Sequence, residues 1–275
     1  MRRQPVRLKI DNAGPTVRLK LDTTGSTAPS DRSVRLQPDR DPARLAAVHE
    51  SIVQCTRCPR LRAYCRQVAR DKRASYRDEA YWGRPVPGFG DPAARLLLVG
   101  LAPAAHGANR TGRVFTGDGV GGSGDFLMSA LCRTGFANIP TSHHRDDGLV
   151  LSDAYIVAAV RCAPPGNAPS PAELTSCLRH LEAEVAELTR IQVVVALGKI
   201  AFDVWLRLLK RQGVSVASPR PQFAHGAVVQ AAHPRNGTSV VMIGCYHPSR
   251  QNTNTGKLTP AMMEGVFRKA RRLLR

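Results

Sequence analysis

Four short runs rich in Val, Ile and Leu, separated by stretches of helical periodicity, predict an α/β protein, a three-layer α/β/α sandwich with a central four-stranded parallel sheet. The runs lie at 95–100, 154–162, 192–198 and 239–247. Helical stretches at 124–134, 170–189 and 199–211 fall between them. Alternation of this kind joins parallel neighbours by crossovers and buries both faces of the sheet under helices. A hydrophobic share of 43% in 275 residues is ample for such a core.

The elements follow in order. Residues 1–40 carry a short polar repeat, Val6-Arg7-Leu8-Lys9, Val17-Arg18-Leu19-Lys20 and Val34-Arg35-Leu36-Gln37, with Asp11, Asp22 or Asp39 closing each copy. Set among Thr, Ser, Gly and Pro, it cannot bury a core, so a disordered tail is expected, with a basic arm touching nucleic acid as its functional reading. Residues 41–275 then form a single domain. Asp41-Pro42 opens a helix with Leu45, Val48 and Ile52 on one face, running toward Cys55. The stretches 85–92 and 215–221, rich in Gly or Pro, read as surface loops. The first strand empties into Gly100, Leu101, Ala102, Pro103 and Ala104, and the loop ends at Asp118. Small residues there let the backbone approach a flat ligand at the carboxyl edge of the sheet, where open α/β folds bind theirs.

Charge narrows the partner. Forty Lys and Arg face twenty-one Asp and Glu, a formal +19, and residues 45–275 alone keep +14. A polyanion suits such a body. No run of about eighteen apolar residues is present, which excludes a membrane-spanning helix, and the arginines near the start are followed by no apolar leader core, so export is not expected.

Seven cysteines, an odd number, suit a reducing cytoplasm and metal ligation rather than disulfides. Cys55 and Cys58 form a C-x2-C turn followed by Pro59, while Cys162 ends a strand and Cys177 stands in the following helix with fourteen residues between them. Four thiolates from two distant segments can close on one zinc ion or one iron-sulfur cluster, or can simply pack. Cys65 competes as a ligand, and Cys132 and Cys245 fall at apolar positions.

The fourth strand delivers His247 to the same rim as Gly100. Pro248 forces an extended exit, and a polar loop follows with Arg250 and Lys257 at its shoulders. Strand end, proline and loop together aim His247 into the pocket, whereas His49, His143, His144, His180, His225 and His233 read as structural.

These segments resemble family 5 of the uracil-DNA glycosylase superfamily, its iron-sulfur branch, over roughly 52–275. GLAPAAHGANRTGRVFTGD at 100–118 is similar to that family's first motif, RCAPPGNAP at 161–169 to its middle one and HPSRQNTNTGKLT at 247–259 to its last. Leu101 and Ala104 stand where the related family 4 has the acid and second glycine of GEAPG. The resemblance implies a 4Fe-4S cluster on Cys55, Cys58, Cys162 and Cys177, ordering the Arg-rich stretch 57–73 toward DNA. It implies base excision from double-stranded DNA containing deaminated bases, uracil and also hypoxanthine or xanthine, by a monomer in the cytoplasm.

Breaking the N-glycosidic bond of deoxyuridine leaves a uracil anion and an oxocarbenium-like sugar. A donor near uracil O2 and a carboxylate near the sugar serve both. His247 is the expected O2 donor as a neutral imidazole, and Asp118 orients water or stabilises the cation. Asn167 reads the base edge or holds the water, and Phe115 stacks on the flipped ring. Gly100 to Ala104 line the pocket. Arg250, Gln251 and Asn252 match the family's minor-groove wedge, while Arg110, Arg113 and Lys257 are expected at phosphates. Two other readings remain at this point: a non-catalytic nucleic-acid-binding module stabilised by zinc or iron-sulfur, and an enzyme acting on free nucleotides.

Overall fold

The computed structural model describes residues 42–215 and 219–274, so the tail expected at 1–40 lies outside the described residues. The chain runs α1 (Pro42–Val53), α2 (Pro59–Asp71), β1 (Phe89–Gly90), β2 (Leu96–Gly100), α3 (Ala108–Thr111), α4 (Ser123–Arg133), β3 (Ala154–Ala158), α5 (Pro171–Glu187), β4 (Val193–Leu197), α6 (Lys199–Arg211), β5 (Val228–Ala232), β6 (Ser239–Cys245), α7 (Arg250–Asn254) and α8 (Pro260–Leu273). No helix among the described residues is long and apolar enough to cross a membrane.

The sheet has six strands in the order β1-β3-β2-β4-β6-β5. Its four central strands are the expected ones and are parallel, whereas β1 and β5 add antiparallel edges that the sequence reading did not include. Leu98 stands level with Ile156 and Val195, and Val195 with Ile243. Because side chains alternate across a strand, this register sorts the core into two layers. Leu96, Leu98, Ile156, Val193, Val195 and Ile243 pack with residues of α4 and α8, among them Leu127, Leu131, Val266 and Phe267. Leu97, Val99, Tyr155, Val157, Val194, Ala196 and Met242 pack on the other side with Leu181 and Val185 of α5 and Phe202 and Trp205 of α6.

Helix starts are fixed by local chemistry. Ser170 and Glu173 form a reciprocal capping box at the head of α5, with Pro171 in the first turn. Thr259 caps α8 by accepting from the Met262 N–H. The loop read at 85–92 contains β1, whose Gly90 pairs with Tyr155. Parallel pairing brings the carboxyl ends of β2, β3, β4 and β6 to one rim.

Candidate active site

The rim holds a pocket walled by the β2 loop, the segment after β3 and the start of α7. Leu101, Ala102, Pro103, Ala104, Phe115, Asp118, Asn167, His247, Arg250 and Gln251 all line it. Two glycines make room. A methyl on Gly100 would come within 2.8 Å of the Phe115 ring, and one on Gly107 would collide with Asp118 Oδ1. Phe115 (φ 50°) and Asn167 (φ 57°) are two of four non-glycine residues with positive φ among those described. Such backbone costs energy and persists only where the surroundings fix it, so both side chains are held in place by their loops.

The electrostatics of the two ionisable groups diverge. Desolvation pushes the Asp118 carboxyl up to about 6, against the opposing pull of the Arg250 and Arg110 cations. Burial drives the His247 imidazole down to about 4. At neutral pH the pocket therefore holds a carboxylate and an uncharged imidazole. The His247 ring lies 5.9 Å from the Phe115 ring, tilted by 32°. Its backbone is fixed by Asn252, whose Nδ2 donates to the His247 carbonyl at 2.8 Å.

Several expected DNA contacts sit elsewhere. Arg110 is 6% exposed, and its donors are consumed internally: Nε by the His106 carbonyl and Nη2 by that of Gly117, both at 2.9 Å, with Nη1 paired to Glu79. Arg113 is 4% exposed and spends its guanidinium on Thr116, Ser142, Asp147 and the Arg145 carbonyl. Most of the five N–H donors of each guanidinium are thus committed inside the protein, which ties both arginines to the loop that carries Asp118. Asn252 is likewise occupied with the His247 carbonyl. Arg250 and Gln251 are exposed at the pocket, Arg250 reaching the Asp118 carbonyl at 3.3 Å. Lys257 is exposed with Nζ 5.2 Å from the Tyr246 ring centre, away from the pocket wall. The reading missed Ser249, which caps α7 by accepting from the Asn252 N–H, and Ala108 and Ala158, which widen the pocket. A serine after His-Pro was the one available signal for that cap.

Cys55, Cys58, Cys162 and Cys177 line a second, small cavity, of about 10 Å³, together with Arg57, Arg62, Arg161 and His180. No carboxylate stands in its wall, so its donor set and cationic surround fit a group carrying several negative charges. Among the described residues no three His, Cys, Asp or Glu side chains converge on one ion. Cys65 is buried beside this wall, with its thiol 3.6 Å from the Ala163 carbonyl. Cys245 is packed in the core, where burial pushes its thiol up to about 12, and Cys132 packs against the same core. Ala102 bridges the two cavities, lining the pocket and packing against the cysteine cluster.

The profile of the uracil DNA glycosylase superfamily matches residues 87–271. A type-5 uracil-DNA glycosylase of Mycobacterium leprae is 51% identical over 229 residues, covering 82% of this chain and 94% of that protein. One from Thermus thermophilus is 48% identical over 224 residues, 82% of this chain and 95% of that protein. A type-4 enzyme of Thermotoga maritima is 32% identical, over 44% of this chain and 54% of its own length. With its pocket at the parallel-strand rim and these matches over most of its length, the chain belongs to the uracil DNA glycosylase superfamily, in the type-5 branch.

Proposed function

We propose that this chain hydrolyses the N-glycosidic bond of uracil in double-stranded DNA, releasing the base and leaving an abasic site. The observation that carries the reading is the pairing, in one pocket, of a carboxylate whose pKa lies near 6 with an imidazole kept neutral at physiological pH. Uracil departs as an anion, and a neutral His247 N–H offers O2 a preorganised dipole without a proton having to be gained first. Asp118 stabilises the sugar cation and orients the attacking water. Water oxygen bonds C1′ as the C1′–N1 bond breaks, the bond pair leaves with uracil, and the water proton passes to the carboxylate. Phe115 stacks on the extruded ring, and Asn167 offers an amide to its edge.

Extrusion costs a few kcal/mol. Arg250 and Gln251 are the groups at the pocket mouth available to fill the vacated stack, and α2 exposes Arg66 and Arg70 for the phosphates. Ala102, Ala104, Ala108 and Ala158 leave the wall without bulk, which supports entry of the two-ring bases hypoxanthine and xanthine. Cys55, Cys58, Cys162 and Cys177 would hold a 4Fe-4S cluster. Four thiols from the α1–α2 turn, the segment after β3 and α5, with arginines and no carboxylate in their wall, support an anionic iron-sulfur group there. When bound it supplies a cross-link between the α1–α2 turn and the segment after β3, and no step of hydrolysis.

A uracil-containing duplex incubated with the protein and then treated with alkali should break at uracil. Intact strands under all conditions would remove the enzymatic reading in favour of a binding module. Release of uracil from free nucleotides but not from duplex would favour the nucleotide reading. A hypoxanthine duplex treated in parallel measures substrate breadth. Iron and labile sulfide near four each per chain are expected, and stoichiometric zinc would sink the cluster.

A further inference from the structure

We infer that Arg161 and His180 form a cap of N–H donors over the four-cysteine cavity, there to bond the sulfur atoms of the anionic group it holds and to set that group's reduction potential and retention. The inference rests on the cluster reading. Both side chains line the cavity. Arg161 is 1% exposed and His180 7%. A guanidinium in so dry a place normally has every donor matched, because an unmatched one costs free energy. Here only Nη2 is engaged, in a buried ion pair with Glu184 Oε2, while Nε and Nη1 have no acceptor. His180 Nε2 is equally unmatched. Unspent donors on residues that share one wall with the four thiols are what a multiply charged sulfur-rich group would use.

The supporting frame is also present. Glu184 is fully buried and anchored by the Gly88 N–H at 2.7 Å and by His49 Nε2 at 3.3 Å, so the guanidinium it grips has a fixed direction. Arg161 itself is clamped at both backbone ends: its N–H donates to Cys177 Sγ at 3.3 Å, and its carbonyl accepts from Val86 at 2.7 Å. His180 stands one helical turn beyond Cys177 on α5, which brings its ring to the same wall. Hydrogen bonds to cluster sulfurs favour the more negative, reduced state, so their removal lowers the potential.

The test uses the full chain purified without oxygen, with iron content, the rate of iron loss to a chelator and the midpoint potential as readouts. Arg161→Met alone strands Glu184 in the core and risks misfolding, so it is made together with Glu184→Gln, which leaves net charge unchanged. The pair is expected to shift the reduction equilibrium about tenfold toward the oxidised form, 59 mV for one electron, and to speed iron loss. His180→Phe should move both in the same direction by less, with uracil excision retained. Wild-type potential and iron retention in both variants would overturn the cap while leaving the cluster intact. A wild-type protein without iron would remove the cluster reading and the cap with it.

Discussion

The base pocket and the cysteine cavity share a wall at Ala102 and a chain segment between Cys162 and Asn167, yet they are built on opposite principles. The pocket is lined by loop ends, two of its residues sit in left-handed backbone, and its carboxylate is held where water would normally relieve it. The cavity is lined by helix and strand-end residues around thiols, with Arg57, Arg62 and Arg161 in its wall and a carboxylate, Glu184, kept one layer back. One site stores unfavourable arrangement in the empty protein; the other offers donors that a guest would satisfy. Loss of a pocket residue should therefore cost rate and spare the fold, whereas loss of a cavity residue should cost the fold and spare chemical specificity.

Asp118→Asn is the largest test of that contrast. It should lower uracil excision by roughly 10²–10⁴-fold, the usual span for a proton-handling group, while duplex binding by fluorescence anisotropy stays near wild type. Stability should rise. A carboxyl whose folded pKa is raised from 3.8 to about 6 contributes stability below about pH 4 that is lost as pH climbs through 6. The neutral amide escapes that loss, by at most about 3 kcal/mol at pH 7. A less stable variant would show that Asp118 is structural.

Cys177→Ser should do the reverse. Iron content should fall, and the melting temperature with it, by about 2–4 °C for each kcal/mol lost, while any protein that stays folded keeps its preference for uracil. Arg113→Met belongs with it despite its place in the pocket loop. Removing one partner of a buried pair leaves Asp147 uncompensated, at a cost of about 3–5 kcal/mol read by denaturant unfolding. A folded variant with weakened DNA affinity would instead restore Arg113 to the phosphates.

Smaller effects sharpen the contrast further. Excision should fall about tenfold per pH unit below pH 6 as Asp118 takes up a proton, with His247 adding nothing until pH nears 4. A profile flat to pH 5 would contradict a carboxylate role. Arg250→Ala should weaken duplex binding and reduce the slope of log affinity against log salt by about 1. An unchanged slope would mean that Arg250 serves only the Asp118 loop.

Much of this is legible in the sequence. Leu96 to Val99 and Val193 to Leu197 are apolar on both faces, which only a covered central strand tolerates, so the four parallel strands could be read directly. The edges could not. β1 is two residues long, and β5 is half-buried and takes its strand character from pairing with β6. In the site, His247 was betrayed by the strand and proline around it, and Asp118 by the loop it closes. The internal partners of Arg110, Arg113 and Asn252 had no mark in the sequence, because residue type tells nothing of which donors are spent inside the protein. The positive φ of Phe115, a residue that normally avoids it, has no mark in the sequence at all.

Gly107 carries a consequence of another kind. A methyl there would fall on the carboxylate oxygen of Asp118, so the codon for a residue with no side chain guards the reactive group as strictly as the codon for the aspartate. One base change, glycine to alanine, would force that carboxylate to move with every polar letter of the motifs intact. Relatives that have lost the activity by this route would pass any search that looks only for the reactive residues, and a survey of the superfamily for working enzymes should weigh the gap at Gly107 as heavily as the acid it admits.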